Sequence, residues 1–380
     1  MKIAIVHDQL QEFGGAERVL VALKHIYPEA DIYTSFYNPK TLGVHARLFS
    51  DWNIYTSWAQ RIPFVAKLYS PLRFITPYLW ETLDLQSYDL VISSSGSYMS
   101  KGIVTKPETL HICYLHHPPR YLYFYETARE WKKYWPVRIY AYLVNHGLRI
   151  WDFLSSSRVD YFVANSEETK YRIEKFYRRE SCVIYPPVDI PDTLPQYDSN
   201  TKQAYYITTS RLARAKHIDI LIHAANQYHF ELKIVGSGRD EEYLKSIAGK
   251  TVTFLGTVPD TELPALYHNA KAFLFASKDE EFGIAPIEAM GHGLPVVSLA
   301  SGGLKETVHE GKNGYLFADL AIESIYQKIS LLEQLSPESY EIMRKTSRLH
   351  AEKYSLQRFK TEIETFVNVH LFAKQSDQSL

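Results

Sequence analysis

The sequence predicts an α/β fold made of two doubly wound halves. Continuous aliphatic runs bounded by turn residues, such as Ile3 to Val6, recur along the chain, and such runs suit strands buried on both faces of a parallel sheet. Amphipathic stretches of helical spacing, such as Ala16 to His25, lie between them. Alternation of strand and helix indicates a parallel sheet whose connections are helices.

The individual elements follow from these two patterns in chain order. The predicted strands are Ile3 to Val6, Leu90 to Ile92, Ile112 to Leu115, Tyr161 to Val163, Ile207 to Thr209, Leu232 to Val235, Thr251 to Leu255, Ala272 to Ala276 and Pro295 to Ser298. The predicted helices are Ala16 to His25, Ser166 to Phe176, Ile218 to Gln227, Thr261 to Asn269 and Leu356 to Phe372.

A proline-rich stretch near the middle of the chain, Tyr185 to Pro191, separates the two halves. Successive prolines disfavour both helix and sheet, and the polar tract Leu194 to Gln203 follows them. We therefore expect an N-terminal Rossmann-like domain over residues 1–188 and a C-terminal one over residues 189–355. The last predicted helix, 356–372, is expected to cross back to the first domain.

Composition excludes several classes of protein. The 380 residues carry 42 Lys and Arg against 43 Asp and Glu, so binding driven by bulk charge is disfavoured and no nucleic acid is expected as a partner. Hydrophobic content of 46% excludes disorder. Two cysteines, Cys113 and Cys182, favour a reducing compartment. The chain lacks a run of ~18 apolar residues and a signal peptide, so a cytoplasmic location is expected.

The loop from Ser277 to Met290 comes directly after a predicted strand, at the usual ligand edge of this kind of sheet. Pro286 suits a first helical turn, which places the backbone amides around Gly283 at a helix N-terminus that attracts phosphate. Glu280 and Glu288 flank that point and can accept hydrogen bonds from sugar or ribose hydroxyls. An acid in a first turn also stabilises a helix by ~0.3–1 kcal/mol without any ligand, so a structural role for Glu288 stays equally open.

A basic loop follows the first predicted strand of the second half. Arg211 and Lys216 lie there, where arginine can bind phosphate oxygens with a bidentate fork and lysine acts as a point charge. Arg214 is expected to face solvent, and a wholly solvated basic loop is the alternative. The tract Val235 to Gly238 follows another strand and permits close approach of the backbone.

Two stretches of the first half also follow predicted strands. Gly14 and Gly15 open a helix and form a turn that can face phosphate or an acceptor, but they lack the Gly-x-Gly-x-x-Gly pattern of nicotinamide enzymes. His116 and His117 end another strand, and adjacent side chains on extended backbone point to opposite faces, so one histidine is expected at a site and one packed away. Since no Asp-x-Asp pair occurs, no metal site is expected. The lack of a nucleophile elbow and of a P-loop disfavours acyl transfer and P-loop phosphoryl transfer.

Together these stretches resemble the retaining glycosyltransferases of family 4, which have the GT-B fold of two Rossmann-like domains facing across a cleft. The resemblance covers most of the chain. At two positions the chain differs from the family: Ser210 stands where glycine is frequent, and His217 where glycine or asparagine is common. The motifs that carry the resemblance are Glu280 and Glu288 with seven residues between them and Phe282-Gly283 inside, Gly14-Gly15-Ala16-Glu17, His116-x-Pro118, Arg211 with Lys216, and Ala300-Ser301-Gly302-Gly303 with Glu306 beyond.

The resemblance implies that the C-terminal domain binds a nucleoside diphosphate sugar as donor. Arg211 and Lys216 would neutralise its diphosphate, and Glu288 would hold the ribose hydroxyls. Glu280 would grip the donor sugar together with backbone amides. These amides belong to Phe282, Gly283 and Ile284.

The resemblance also implies that the N-terminal domain binds the acceptor. His116 would lie beside the anomeric centre or the hydroxymethyl group of the donor sugar, and Gly14 and Gly15 would let the chain approach the phosphate and the acceptor. In such retaining enzymes the departing phosphate is thought to deprotonate the acceptor hydroxyl, so neither a metal nor another cofactor is expected. His116 and Glu280 are the residues expected at the reacting atoms.

The stretches Tyr185 to Asp189 and His116 to Tyr121 look like those of bacterial O-antigen and exopolysaccharide mannosyltransferases. GDP-mannose is therefore the favoured donor, and a saccharide or lipid-linked saccharide the expected acceptor. Three alternatives stay open. They are a transferase that uses a UDP-hexose, a nucleotide-sugar epimerase of the same architecture, and a nucleotide-sugar-binding subunit without activity.

Aromatic and basic residues interleave between Arg120 and Arg158. This composition suits contact with the cytoplasmic face of a membrane or with a lipid diphosphate acceptor, and an aromatic-rich core with a solvated basic face is the alternative of equal weight. The residues concerned are Tyr121, Tyr123, Phe124, Tyr125, Trp131, Tyr134, Trp135, Tyr140, Tyr142 and Trp151, with Arg129, Lys132, Lys133, Arg138 and Arg149.

Overall fold

A computed structural model describes residues 1–127, 134–193, 205–259 and 261–377, which form two compact units. The N-terminal unit contains residues 1–125, 134–187 and 356–377, and the C-terminal unit contains residues 126–127, 188–193, 205–259 and 261–355. The polar tract Leu194 to Gln203 lies outside the described residues, as do Arg129, Trp131, Lys132 and Lys133 of the aromatic and basic stretch.

The N-terminal unit is built on a seven-stranded sheet in which all pairs of strands are parallel. Its strands are β1 Ile3–His7, β2 Asp31–Thr34, β3 Ile54–Thr56, β4 Leu90–Ser95, β5 Leu110–Leu115, β6 Tyr161–Ala164 and β7 Ser181–Val183. The spatial order is β3-β2-β1-β4-β5-β6-β7, so the direction of winding reverses between β1 and β4.

The C-terminal unit repeats this plan with a six-stranded sheet, also wholly parallel. Its strands are β8 Tyr205–Thr209, β9 Leu232–Val235, β10 Val252–Gly256, β11 Ala270–Phe275, β12 Val296–Leu299 and β13 Gly314–Phe317. The order β10-β9-β8-β11-β12-β13 places its reversal between β8 and β11.

Helices connect the strands in both units. They are α1 Gly15–Ile26, α2 Pro39–Leu42, α3 Val65–Leu68, α4 Thr76–Glu81, α5 Trp135–Ser155, α6 Glu167–Tyr177, α7 Ile218–Tyr228, α8 Glu241–Ile247, α9 Leu263–His268, α10 Ile284–Gly291, α11 Leu304–Thr307, α12 Ile322–Glu333, α13 Pro337–Ala351 and α14 Leu356–Asp377. Among the described residues, none of the helices combines the length and the apolar character needed to cross a bilayer.

Both faces of the N-terminal sheet are buried. Alternate residues of β1 enter different hydrophobic cores, because Ile5 packs with residues of α1 and α14 whereas Ala4 and Val6 pack with residues of α4. In the C-terminal unit the main core joins β9 to helices α7 and α12. The predicted α/β class with two Rossmann-like sheets is therefore confirmed.

All nine predicted strands are present, with ends shifted by one or two residues in most cases. Four further strands, β2, β3, β7 and β13, are not among those predicted. They are only three or four residues long, and β3, β7 and β13 lie at sheet edges. A short edge strand with half-exposed side chains lacks the continuous apolar run that marks a buried one.

Helix α14 packs on the core of the N-terminal unit. Phe359, Ile363 and Val367 are buried, and the Phe359 ring lies 5.9 Å from that of Tyr114 on β5. Near its end, Lys374 Nζ donates to the Thr109 carbonyl at 2.6 Å. The last helix of the chain thus completes the unit that begins at the first residue.

His111 on β5 makes the stability of this unit depend on pH. The side chain is buried, and loss of solvation lowers the pKa of His111 to about 4, because burial disfavours the imidazolium. In the unfolded chain the histidine has a pKa of about 6.5, so the free energy of unfolding keeps its full value above that pH. It should fall by up to about 3 kcal/mol as the pH falls towards 4.

Urea unfolding from about pH 7 to about pH 4 checks this expectation. His111→Gln should flatten the decline of the free energy of unfolding below about pH 6.5, because glutamine does not titrate. His25→Gln is the control, since His25 is exposed on α1. Parallel curves for the wild type and His111→Gln would contradict the assignment.

Candidate functional site

The loops that follow β8 and β11 meet at the carboxyl edge of the C-terminal sheet. These two strands are neighbours at the point where the winding reverses. At such a point the two loops lead away in opposite directions and leave a crevice, which is the usual ligand site of open α/β sheets. The structure brings Lys216 and Glu280 together here.

Lys216 and Glu280 form an ion pair across this crevice. Lys216 Nζ lies 2.7 Å from Glu280 Oε2, and the two side chains are only 20% and 17% exposed. Ser277 Oγ donates to the same carboxylate oxygen at 2.7 Å. The Glu280 carboxylate is therefore held from two sides. Ser277 is a positioning residue that the sequence did not single out.

The loop carrying Glu280 rests on the glycine pair of the Ala300-Gly303 motif. The Gly303 amide donates to the Glu280 carbonyl at 2.9 Å, and the Asp279 amide donates to Ser301 Oγ at 2.9 Å. A Cβ on Gly302 would come within 1.9 Å of the Glu280 carbonyl oxygen. Glycine is therefore required for close packing of the two loops, and the Ser301 hydroxyl of the same motif holds the backbone of the loop that carries Glu280.

Helix α10 begins directly after this loop. Gly283 is its N-cap, with φ of 90°, and has no side chain to cap the first turn, which begins with the backbone of Ile284. Phe282 is buried, with its ring 5.2 Å from that of Tyr354. Its side chain is thus part of the core, and only its backbone is suited to contact a ligand.

Glu288 does not lie in the first turn of α10, contrary to the sequence-based expectation. It is the fifth residue of the helix, because the helix begins at Ile284 and Pro286 is its third residue. Glu288 is buried, at 9% exposure. Stabilisation of the helix N-terminus by an acid in the first turn therefore does not explain Glu288.

The loop after β8 carries the predicted cations in different settings. Arg211 and Arg214 are both exposed, whereas Lys216 is half-buried against Glu280. His217 has a φ of 46°, in the left-handed region. This conformation accounts for the glycine or asparagine that is common at this position, because those residues adopt it most readily.

Gly236 and Gly238 pack the loop after β9 against the loop after β8. A Cβ on Gly236 would lie 2.0 Å from the Ser210 carbonyl oxygen, and one on Gly238 would lie 2.3 Å from that of Leu212. The Ser210 amide donates to the Val235 carbonyl at 3.1 Å. The close approach predicted from this Gly-x-Gly is thus between two backbone segments of the protein.

A chain of buried polar side chains runs along the carboxyl edge of the N-terminal sheet. His116 Nε2 lies 2.8 Å from Ser94 Oγ, and the same hydroxyl lies 3.0 Å from His7 Nδ1. His7 Nε2 lies 3.4 Å from Glu17 Oε1, and Glu17 Oε2 accepts from the Gly14 amide at 2.8 Å. The chain therefore joins His116 to the glycine turn at the start of α1.

This chain assigns the tautomer of His116 when both imidazoles are neutral. The Glu17 carboxylate only accepts, so His7 carries its proton on Nε2 and accepts at Nδ1 from the Ser94 hydroxyl. Because Ser94 has a single proton to donate, it accepts from His116 Nε2–H. His116 then has a hydrogen-bond acceptor at Nδ1.

Asp8 holds the turn after β4 beside this chain. Its carboxylate accepts from the amides of Gly96, Tyr98 and Ser100 at 3.0, 2.7 and 2.9 Å. A Cβ on Gly96 would lie 3.4 Å from His117 Nε2, so His117 packs against this turn. Asp8, like His7 and Ser94, is a residue that the sequence did not single out, whereas Glu17 belongs to the Gly14-Gly15-Ala16-Glu17 motif.

Gly14 is the N-cap of α1, with extended backbone, and Gly15 is the first residue of the helix. A Cβ on Gly14 would meet Glu17 Oε2 at 3.4 Å, an ordinary contact distance. Gly14 has no side chain to cap the first turn of α1, and its own amide donates to Glu17 Oε2. In the described part of the chain, no group of three or more His, Cys, Asp and Glu side chains is placed to hold a metal ion.

Two family models match the chain in succession. The model described as Glycosyltransferase Family 4 matches residues 13–191, and the model described as Glycosyl transferases group 1 matches residues 189–350. Together they match residues 13–350, which include every predicted site residue.

Among curated proteins, the chain is 26% identical over 260 residues to the GtfA subunit of a UDP-N-acetylglucosamine–peptide N-acetylglucosaminyltransferase from Streptococcus pneumoniae, covering 65% of this chain and 49% of that protein. It is 24% identical over 379 residues to an α-1,3/1,6-mannosyltransferase of Schizosaccharomyces pombe, covering 83% and 70%. The chain spans 49% to 60% of the length of the first three curated relatives that it matches.

Among solved structures, HepE of Anabaena, in complex with UDP and glucose, superposes with a TM-score of 0.70 at 19% identity. The match covers 97% of this chain and 99% of HepE. At this identity the likeness shows the fold alone, and it agrees with the two Rossmann-like sheets described above.

Proposed function

The chain belongs to glycosyltransferase family 4, with the GT-B fold, and from this premise we propose that it is a retaining, metal-independent hexosyltransferase. Its donor is a nucleoside diphosphate hexose bound by the C-terminal unit. Its acceptor is a saccharide or a lipid-linked saccharide bound by the N-terminal unit.

The observation that carries this proposal is the ion pair of Lys216 and Glu280 at the switch point of the C-terminal sheet. Lys216 and the start of α10, whose N-cap Gly283 has no side chain, follow the two neighbouring strands β8 and β11 at this switch point. A diphosphate carries the charge that such a place favours, and a sugar carries the hydroxyls that Glu280 accepts from. Lys216 therefore meets the diphosphate of the donor, and Glu280 meets its sugar.

The proposed reaction depends on the charge of the leaving group. When the bond between the anomeric carbon and the phosphate oxygen breaks, negative charge grows on the diphosphate, and Arg211, Lys216 and the amides of α10 stabilise it. The same phosphate oxygen takes the proton of the acceptor hydroxyl, which attacks the anomeric carbon from the same face. The configuration of the anomeric carbon is thereby retained.

His116 has a positioning role toward the sugar in this proposal. Its Nδ1 accepts a hydrogen bond from a sugar hydroxyl, because the chain through Ser94 fixes the proton on Nε2. Gly14 and Gly15 place no side chain of their own at the start of α1, so the acceptor or a phosphate can approach the backbone there.

GDP-mannose is the donor we propose first, on the motifs around Tyr185 and His116 and on the likeness to the yeast mannosyltransferase. UDP-hexoses are the second candidate, since HepE was solved with UDP and glucose and the GtfA relatives are named for UDP-N-acetylglucosamine.

A panel of GDP-mannose, UDP-glucose, UDP-galactose and UDP-N-acetylglucosamine tests the proposal. One donor should raise the melting temperature and be hydrolysed slowly to the nucleoside diphosphate, with the same rate in EDTA. A sugar nucleotide released with inverted configuration at one carbon would indicate an epimerase, and binding without turnover would indicate an inactive subunit. If no member of the panel binds, the proposal fails.

Ser94→Ala is expected to lower the transfer rate about tenfold, because His116 loses the hydroxyl that fixes its tautomer. The 15N chemical shifts of the His116 ring should show a mixture of tautomers, which a merely structural change would not produce. Ser87→Ala is the control, since Ser87 is exposed and bonds only Lys2 among the contacts described. A single Nε2–H tautomer in Ser94→Ala would contradict the chain.

A further inference from the structure

Helix α5 buries its small and polar side and exposes its apolar side. The outward side forms a continuous stripe at helical spacing, which we call the α5 stripe. The buried residues are Ala141, Asn145, Leu148, Asp152 and Ser155. The exposed stripe consists of Trp135, Ile139, Tyr142, Leu143, Ile150, Phe153 and Leu154.

The exposure of this stripe is large for a protein in water. Trp135 is 66% exposed, Tyr142 80% and Leu143 66%. Single exposed apolar residues are ordinary, but a row of large ones over a 21-residue helix marks a surface that binds something. The stripe lies along one side of a helix of about 30 Å, so its occupant presents an extended surface.

A second apolar segment lies beside the stripe. Phe74 is 48% exposed and Tyr78 63%. This segment is joined to α5 because the Tyr140 hydroxyl donates to the Pro71 carbonyl, and the Arg73 guanidinium lies 5.7 Å from the centre of the Tyr140 ring. The apolar surface therefore extends from α5 over the start of α4.

The charges around this surface are mostly positive. Glu81, the exposed acid at the end of α4, is an exception, and it is paired with Arg158 at 2.7 Å. Residues 61–80 contain Arg61, Lys67 and Arg73 and no Asp or Glu. In α5 itself the only acid is Asp152, which is fully buried and paired with Lys101 at 3.0 Å, while Arg138 is exposed. Among these segments no exposed acid balances the cations.

We propose that the α5 stripe and the neighbouring segment are a docking surface for an anionic lipid bilayer. The helix lies flat in the interface, its aromatic and aliphatic side chains enter the region between headgroups and acyl chains, and the exposed Arg138 and Arg61 meet lipid phosphates. Tryptophan and tyrosine favour this depth, since their rings have an apolar body and a polar edge.

The charge pattern favours a bilayer over a second copy of the chain. A symmetric dimer through the stripe would bring the same cations together, and the nearby acid Glu81 is already paired with Arg158. A bilayer supplies anionic headgroups along the whole length of the helix. This proposal does not depend on the donor or on the transfer reaction, so its test is made without either.

Flotation of the full chain with vesicles of phosphatidylcholine, with and without phosphatidylglycerol, tests the proposal. The wild type should float with the anionic vesicles, less so at high salt because headgroup attraction is screened. Tyr142→Ser/Leu143→Asn/Ile150→Ser should lower the partition coefficient at least about tenfold. These side chains are more than half exposed, so the melting temperature should not change.

The matched control is Ile342→Ser/Leu349→Asn/Phe372→Ser, which removes equally exposed apolar side chains from α13 and α14, at 65%, 63% and 70% exposure. It should bind vesicles like the wild type. Quenching of tryptophan fluorescence by brominated lipid should be largely lost in Trp135→Phe.

Three results would overturn the proposal. The first is that the wild type does not bind anionic vesicles at any salt concentration. The second is that the α5 variant and the wild type bind equally. The third is that the wild type forms a dimer or a complex with a protein partner and that the α5 variant does not form it. The last would assign the stripe to a protein interface instead.

Discussion

Replacing Lys216 by alanine is expected to lower the rate of sugar transfer by about 10²–10³-fold. Two losses act in the same direction. The cation that meets the growing charge on the leaving diphosphate is removed, and the Glu280 carboxylate loses the partner that lies 2.7 Å away. Without that partner, an uncompensated carboxylate stands close to the diphosphate and repels it.

The measurement is the initial rate of transfer at saturating and at limiting donor. Both kcat and kcat/KM should fall, because the charge on the leaving group is largest in the transition state. Glu280→Gln keeps a side chain that can hydrogen-bond Ser277 but removes the charge partner of Lys216, and it should also lower kcat. The double variant Lys216→Ala/Glu280→Gln should lose less than the sum of the two single losses.

Lys245→Ala is the matched control. Lys245 forms an ion pair of the same length, 2.7 Å, with Glu241 on the C-terminal unit, but the two side chains are 53% and 31% exposed. Its loss should leave transfer unchanged and stability within about 0.5 kcal/mol. If Lys216→Ala transferred sugar as fast as Lys245→Ala, the placement of the diphosphate would be wrong.

The meeting of Lys216 and Glu280 could be expected from the sequence because each follows a recognisable strand. Parallel strands end at one edge of a sheet, so loops after neighbouring strands converge. Ser277 was not predicted, since its hydroxyl gains a role only when the loop after β11 turns back on itself to bring Glu280 within 2.7 Å. That turn depends on the left-handed Asp279 and on packing against Gly302, neither of which a periodic pattern reveals.

The chain from His116 to Glu17 was beyond the sequence for a different reason. Its members are spread over four segments, and the contact of His7 with Ser94 depends on the register of β1 against β4, which places these two residues side by side. A shift of one residue would send one of the two side chains to the other face of the sheet. Strand register is set by packing of the whole sheet, so composition and spacing do not contain it.

For the aromatic and basic stretch between Arg120 and Arg158, composition alone did not decide between membrane contact and core packing. Its residues suited a membrane surface and a core equally, because both bury large apolar side chains. In the structure Tyr123 packs inward on Phe176 while Tyr142 points outward, so the stretch divides between the two alternatives. The small residues on the buried side of α5, such as Ala141, show which side chains of the helix turn outward.

Replacing Lys101 by methionine is expected to destabilise the N-terminal unit by about 3–5 kcal/mol. Lys101 Nζ lies 3.0 Å from Asp152 Oδ1, and both side chains are completely buried. Methionine fills much the same volume but leaves the Asp152 carboxylate without a cation in the protein interior. The hydroxyls of Tyr123 and Tyr177, at 2.7 and 3.0 Å, still donate to this carboxylate, yet they do not neutralise it.

Urea unfolding followed by the near-ultraviolet signal of the aromatic N-terminal unit measures this loss, with Lys170→Met as the control. Lys170 pairs with Glu167 at 3.4 Å on the surface of the same unit, where both side chains are about half exposed, and its loss should cost less than about 1 kcal/mol. Lys101→Met/Asp152→Leu should recover much of the stability, because it removes the buried charge as well as its partner. If the single variant were as stable as the control, burial of an uncompensated charge would not govern this site.

The same pair explains why α5 can expose its apolar side at all. Asp152 faces inward on α5 because Lys101, in the turn after β4, and two tyrosine hydroxyls satisfy its carboxylate there. These polar contacts fix the rotation of the helix and so turn Tyr142 and Ile150 outward. Lys101→Met should therefore increase amide hydrogen exchange along α5 more than elsewhere in the unit, whereas the double variant, which offers a leucine to the core, should restore protection of the helix without restoring the ion pair.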